Sequence, residues 1–277
     1  MLKTRIITAL VLLAVLTALL VINDVRLIAI AGGLVFGAAV WESLRLFKIS
    51  RPAFVTAVWC AVFIAIAAQT SFQHSGLLML FCVMIWALRL APSLKFGLPA
   101  TGTLGNSLLS GVYCTTILGC FIAMLLFFSR SPLYLFSVLA LVWVADIGAY
   151  FSGKAFGRRK LAPSISPGKS WEGAIGGWLA VLTLSVACIY IPALQDTFAV
   201  QLQHRHGWLV LLSALSLMVA ASVIGDLFES QLKRRAGMKD SSALLPGHGG
   251  VLDRVDALIP VLPLALLLDA WSKSSSM

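Results

Sequence analysis

Apolar residues fall in nine stretches, at about 6–22, 27–44, 53–70, 76–94, 107–128, 132–152, 173–194, 207–228 and 255–271. Polar residues are confined to the short joins between them, apart from two longer segments at 153–172 and 229–254. A helix needs roughly 20 residues to cross the bilayer core, with about 17 tolerated. Only elements that satisfy their own backbone hydrogen bonds are stable in lipid. The pattern therefore predicts an all-α, polytopic integral membrane protein of about nine transmembrane helices. The first two stretches are short or tightly joined, which leaves a re-entrant pair as an alternative there. No segment is long and polar enough for a soluble domain.

Composition sharpens this picture. Of 277 residues, 60% are hydrophobic and 12% charged, against about 45–50% and about 25% in soluble domains. That balance excludes a water-soluble globular chain, a disordered chain and a fibre. The five cysteines lie inside apolar stretches and form no CxxC pair, so they read as small buried hydrophobes rather than a disulfide or zinc framework. The start, Met1 to Arg5 followed by apolar residues to Ile22, has the outline of a signal peptide. Its run is longer than the usual apolar region of about 7–15 residues, and it lacks a small-x-small cleavage site. An uncleaved first membrane helix is the expectation.

The 21 Lys and Arg against 11 Asp and Glu leave a formal charge of +10. In a soluble protein this would suggest nucleic acid. Here the positive-inside rule is a sufficient cause, with anionic lipid or phosphate binding a second, and no nucleic-acid partner is expected. With the N-terminus in the cytoplasm, 17 of the 21 basic residues fall in loops on that side and 4 on the other. The split supports nine spans, with both long polar segments cytoplasmic. Gly33/Gly37 and Gly173/Gly177 have the spacing that lets helix backbones approach closely in lipid.

The acids locate the candidate chemistry. Asp226, Glu229, Asp240, Asp253 and Asp256 crowd into residues 226–256 among Lys233, Arg234, Arg235, Lys239, His248 and Arg254. Asp226, Glu229 and Ser230 share one face if their helix continues. Asp253 and Asp256 open the last stretch, where a helix N-terminus favours their charge. Magnesium is commonly held by one or two carboxylates plus substrate phosphates. Lys and Arg neutralise the remaining phosphate charge, and glycines such as Gly247, Gly249 and Gly250 let backbone N–H groups approach phosphate oxygens. These are the ingredients of metal-assisted phosphoryl or nucleotidyl transfer. Upstream, Asp146 is a carboxylate within an apolar run, which is by default a functional candidate. It leads to Lys154, Arg158, Arg159 and Lys160, then to Ser164 through Gly173. Gly168-Lys169-Ser170 is no P-loop, because Pro163 stands where its first glycine belongs.

Residues 230–256 resemble the signature of the phosphatidate cytidylyltransferases, or CDP-diacylglycerol synthases. Ser230, Lys233, Arg234, Lys239, Asp240, Ser242, Pro246, His248, Gly249, Gly250, Asp253, Arg254 and Asp256 each fall in place. Asp146, Ala149-Tyr150, Ser166-Pro167, Lys169-Ser170 and Glu172-Gly173 also look like this family, with Ser170 where threonine is usual and Gly168 where a polar residue is common.

The resemblance implies a multi-helix, homodimeric enzyme of the bacterial cytoplasmic (inner) membrane. It would convert CTP and phosphatidic acid to CDP-diacylglycerol and pyrophosphate at the cytoplasmic face. Residues 1–130 would supply packing and the dimer face, and residues 131–277 the catalytic part. Asp226 and Asp253 would bind magnesium, with a monovalent cation such as potassium beside it. Lys233, Arg234, Lys239 and Arg254 would clamp the phosphates, and His248 would position or donate to them. Asp256 would orient Arg254 or a metal-bound water. Asp146, Lys169, Ser170 and Glu172, with Ser230, Asp240, Gly249 and Gly250, would line the substrates. Asp226 and Asp253 must then converge at the inner membrane boundary. The competing classes are a secondary transporter, a nucleotide-dependent lipid kinase such as a polyprenol kinase, and a non-catalytic lipid-binding scaffold.

Overall fold

Helices cover most of each apolar stretch in the computed structural model, which describes residues 2–69 and 75–274. The elements are α1 (Leu2–Ile22), α2 (Val25–Leu46), α3 (Pro52–Ala67) and α4 (Ser75–Ile85), which passes through a π-helical turn (Trp86–Leu90) into α5 (Ala91–Phe96). Then come α6 (Leu104–Arg130), α7 (Pro132–Phe156), the strands β1 (Lys160–Ala162) and β2 (Ser166–Ser170), α8 (Trp171–Ile189), α9 (Phe198–Ala236), α10 (Leu252–Val255) and α11 (Leu258–Ser274). Seven helical segments among the described residues are long and apolar enough to cross a membrane: α2, α4 through α5, α6, α7, α8, α9, and α10 through α11. The apolar parts of α1 and α3 are shorter, and the expected stretch 53–70 ends beyond the described residues.

Local chemistry sets the helix ends. Ser131 caps α7 by accepting the Tyr134 N–H, with Pro132 at the first helical position. Ser170 caps α8 by accepting the Gly173 N–H, with Glu172 in the first turn; an acid there suits the positive end of the helix. α9 stops at Gly237, whose φ of +74° admits glycine without strain, and Lys233, Arg234 and Arg235 fill its last turn. Gly207 (φ +77°) breaks α9 near its start, where the apolar stretch 207–228 begins.

The sequence expectation needs two corrections. Residues 153–172 are not a plain loop: α7 runs into them, and β1 and β2 pair antiparallel, Lys160 opposite Ser170. Residues 229–236 are the last turns of α9, so the second polar loop begins only at Gly237.

α6 is the most buried helix, surrounded by α2, α4, α7 and α11. Its inward face carries Tyr113, Ile117, Phe121 and Phe128. Outward faces of α3, α4 and α8 present Phe54, Ile64, Leu77, Leu80 and Leu179 to the surroundings, as helices in lipid do. At one end of the bundle Asp269 gathers Arg130 (2.6 Å), the Tyr134 hydroxyl (2.7 Å) and Lys273 (2.7 Å).

The tightest helix pair is α7 with α8, and glycines permit it. A Cβ on Gly177 would lie 2.4 Å from the Ala145 carbonyl oxygen, and one on Gly173 would lie 2.8 Å from that of Ala149. The Gly33/Gly37 pair packs α2 on α3 less closely, with Phe63 and Cys60 as its neighbours. Gly177→Ala gains about 1 kcal/mol of helix propensity but meets backbone. We expect a net destabilisation of roughly 1–3 kcal/mol, read as a lowered unfolding midpoint of the purified protein in detergent.

Candidate active site

Three helices turn one face each toward a common cavity of about 600 Å³, α7 and α9 by a full i, i+3, i+4, i+7 stripe. α7 supplies Asp146, Ala149, Tyr150 and Gly153, with Lys154 beyond; α8 supplies Gly173, Ala174 and Gly177. α9 supplies Val219, Ser222, Val223 and Asp226. The β1–β2 hairpin adds Leu161, Ser166, Gly168, Lys169 and Ser170, and the α10 turn adds Asp253, Arg254 and Asp256. Asp226 and Asp253, expected to converge from separate spans, thus line one cavity. Gly225 makes this possible: a Cβ there would lie 2.5 Å from the Asp256 carbonyl oxygen and 2.9 Å from Pro260. Glycine brings the two aspartate-bearing segments into backbone contact.

Four carboxylates, Asp146, Asp226, Asp253 and Asp256, face three cations, Lys154, Lys169 and Arg254. Asp226 Oδ2 sits 2.7 Å from Lys169 Nζ, and its Oδ1 accepts from Ser230 Oγ at 3.3 Å. Asp253 is more deeply engaged. Its Oδ1 accepts from Lys233 Nζ at 2.6 Å, and its Oδ2 accepts from Ser241 N–H, Ser241 Oγ and Gly250 N–H at 2.8–2.9 Å. Lys233 also contacts Glu229 Oε2 at 2.5 Å, and the Glu229 side chain is wholly buried.

Of the residues expected from sequence, Asp146, Lys169, Ser170, Asp226, Asp253, Arg254 and Asp256 line the cavity. The others stand behind it. Lys233 is committed to Asp253 and Glu229. Arg234 donates to the Ile165 carbonyl and so ties α9 to the hairpin. Glu172 accepts the N–H groups of Arg158 and Arg159 and holds the entry to β1. The His248 carbonyl accepts two bonds from Arg254, at 3.1 and 2.7 Å, which aims the guanidinium. Gly249, at φ +82°, and Gly250 lie against Asp253 and Ser241. The Gly250 N–H serves Asp253 and is not free for a phosphate. Ser230 leans on Asp226, and Lys239 and Asp240 are exposed in the loop after α9.

Sequence reasoning passed over Ser222 and Glu42, and named Lys154 in the second segment without giving it a role in the site. Lys154 and Ser222 belong to the stripes of Asp146 and Asp226, and helical spacing alone would have found them. Glu42 of α2 is fully buried and accepts four hydrogen bonds from residues 241–252. The one available signal was an acid inside an apolar stretch.

Among the described residues no three His, Cys, Asp or Glu side chains gather into a set that would hold a metal unaided. All-oxygen donors, few in number and set in a cavity that also holds three cations, suit a hard divalent cation that takes its remaining ligands from phosphates and water. The cavity carries a formal charge of −1 with its four acids ionised, and a divalent cation would reverse that sign in favour of a polyphosphate.

The sequence profile of the Cytidylyltransferase family matches residues 3–270. A protein of Haemophilus influenzae named phosphatidate cytidylyltransferase is 38% identical over 95% of this chain and 96% of its own length. A protein of that name from Pseudomonas aeruginosa is 38% identical over 98% of this chain and 99% of its own. One from Thermotoga maritima is 38% identical over 57% of this chain and 56% of its own.

Proposed function

This chain belongs to the cytidylyltransferase family, and from that premise we propose that it converts CTP and phosphatidic acid to CDP-diacylglycerol and pyrophosphate. The observation that carries the reading is a mixed acidic and basic cavity on α7, α8 and α9, where Asp226 and Asp253 from separate helical segments stand with Lys154, Lys169 and Arg254.

A non-bridging oxygen of the lipid phosphate attacks the α-phosphorus of CTP in line. The bond from that phosphorus to the bridging oxygen breaks, and its electron pair leaves with pyrophosphate. A phosphate monoester is already anionic near neutrality, so little proton removal is needed, and positioning dominates catalysis. Lys154, Lys169 and Arg254 bind phosphate oxygens, with Arg254 aimed by the His248 carbonyl. Ser170 and Ser166 hold the hairpin side of the nucleotide, and Lys239 and Asp240 stay in the exposed loop after α9. Lys233, Arg234, Glu172 and Ser230 keep the walls in place rather than clamp substrate. Asp226 and Asp253 would hold magnesium, which when bound neutralises charge on the phosphate oxygens. Asp146 and Asp256 are the carboxylates left for a monovalent cation. Nine spans with a cytoplasmic N-terminus put this cavity at the cytoplasmic face of the inner membrane, and residues 1–130 carry the homodimer face.

The test uses purified protein, phosphatidate, magnesium and CTP labelled either in the base or at the γ-phosphate. Base label should enter the lipid while γ-label appears only in pyrophosphate, one for one. Entry of γ-label into the lipid would replace this reading with a lipid kinase.

A further inference from the structure

Glu42 lies on α2, in the part of the chain that contributes nothing to the cavity wall, and its side chain is shut away from solvent. Burying a carboxylate is expensive unless its acceptor capacity is filled. Here all four donors come from one short stretch of distant chain. Ser241 Oγ and Leu252 N–H donate to Oε2 at 2.9 and 2.6 Å. Ser242 Oγ and Val251 N–H donate to Oε1 at 2.5 and 3.0 Å. Those donors bracket residues 241–252, a run of bends and turns that leads directly into Asp253, Arg254 and Asp256.

Glu42 and Asp253 also meet through one group. Ser241 Oγ is 2.9 Å from Glu42 Oε2 and 2.9 Å from Asp253 Oδ2, so one hydroxyl, with a single proton shared between two acceptors, links the buried acid to a cavity acid. Gly250 closes the arrangement. A Cβ there would lie 1.9 Å from Ser241 Oγ and 2.7 Å from both Glu42 carboxylate oxygens. The second glycine of Gly249-Gly250 is thus required by the acid behind the loop rather than by a phosphate in front of it.

We infer that Glu42 is a positioning residue for the transfer reaction: it clamps the 241–252 loop onto α2 and thereby sets where Asp253 and Arg254 stand in the cavity. The inference rests on the transferase reading above and adds a member to it from the N-terminal helices. Its effect should appear mainly in kcat because, of the three phosphate-binding cations, only Arg254 follows this loop, while Lys154 and Lys169 stand on other elements.

Glu42→Gln keeps the volume but replaces one carboxylate oxygen by an NH2 group, which turns a donor toward two of the four donors. Glu42→Asp keeps the charge with a shorter reach, and Gly250→Ala pushes on the same carboxylate from the other side. In a CDP-lipid assay at saturating magnesium, Glu42→Gln and Gly250→Ala should each lower kcat at least tenfold, with KM for CTP changed less than threefold. Glu42→Asp should recover a measurable part of kcat. Hydrogen exchange supplies a readout independent of activity: the Val251 and Leu252 amides should be protected in the parent and exchange faster in Glu42→Gln, with the amides of α6 unchanged. Parental kcat in Glu42→Gln, or unaltered exchange at Val251 and Leu252, would overturn the inference. So would losses that in all three variants only follow loss of folded protein. A parent protein that makes no CDP-lipid would instead defeat the transferase reading, which keeps the two failures apart.

Discussion

Asp226→Asn should abolish CDP-diacylglycerol formation while the protein inserts and unfolds as the parent does. The carboxylate stands on the cavity wall with its side chain 32% exposed, and its partners are one lysine and one serine. A partly exposed ion pair of this kind contributes about 0–1 kcal/mol to stability, and asparagine has the same shape. The chemistry is another matter. Removing one preorganised group that stabilises transition-state charge costs about 10²–10³-fold in kcat, and here the lost group would also be a metal ligand. Rates measured with labelled CTP, beside unfolding midpoints in the same detergent, test both halves. A variant with parental kcat would remove Asp226 from the site.

Asp253→Ala should lose activity as completely, but should also lose stability. Its side chain is 6% exposed, and it fills four donor positions on Lys233, Ser241 and Gly250. Truncation leaves the Gly250 and Ser241 N–H groups without their acceptor and Lys233 with Glu229 alone. Breaking a buried, hydrogen-bonded ion pair from one side costs about 3–5 kcal/mol. The unfolding midpoint should therefore fall well below that of Asp226→Asn, and the 237–251 segment should become more sensitive to protease. Equal midpoints for the two variants would show that Asp253 does not carry the loop.

These two acids were equally visible in the sequence as candidate metal ligands, yet they differ physically. Their spacing from other charges along the chain marks both as members of one acidic and basic cluster. What differs is the number of donors that surround each, and those donors arrive from separate elements. Lys233 illustrates the same limit. Its place among Arg234 and Lys239 suggested a phosphate clamp, but the nearest anions to it in space are Glu229 and Asp253. Glu42 was legible only as an acid in an apolar stretch, because its donors lie 199–210 residues away along the chain. The β1–β2 hairpin was missed for a local reason. Five residues that include Pro167 and Gly168 carry little strand propensity, and cross-strand pairing with Lys160–Ala162 supplies what they lack.

Hydropathy alone settled that the chain is helical and lies in lipid, because a bilayer excludes unpaired backbone and demands long apolar runs whatever their neighbours are. Residue type and spacing likewise settled that acids, bases and glycines for phosphate chemistry collect near residues 146–172 and 226–256. Which of them line the cavity, and which brace those that do, was decided by packing. That choice depends on close approaches such as Gly177 to Ala145 and Gly225 to Asp256, and on the buried Glu42. Such contacts join segments far apart in the chain, and no pattern read within a single segment contains them.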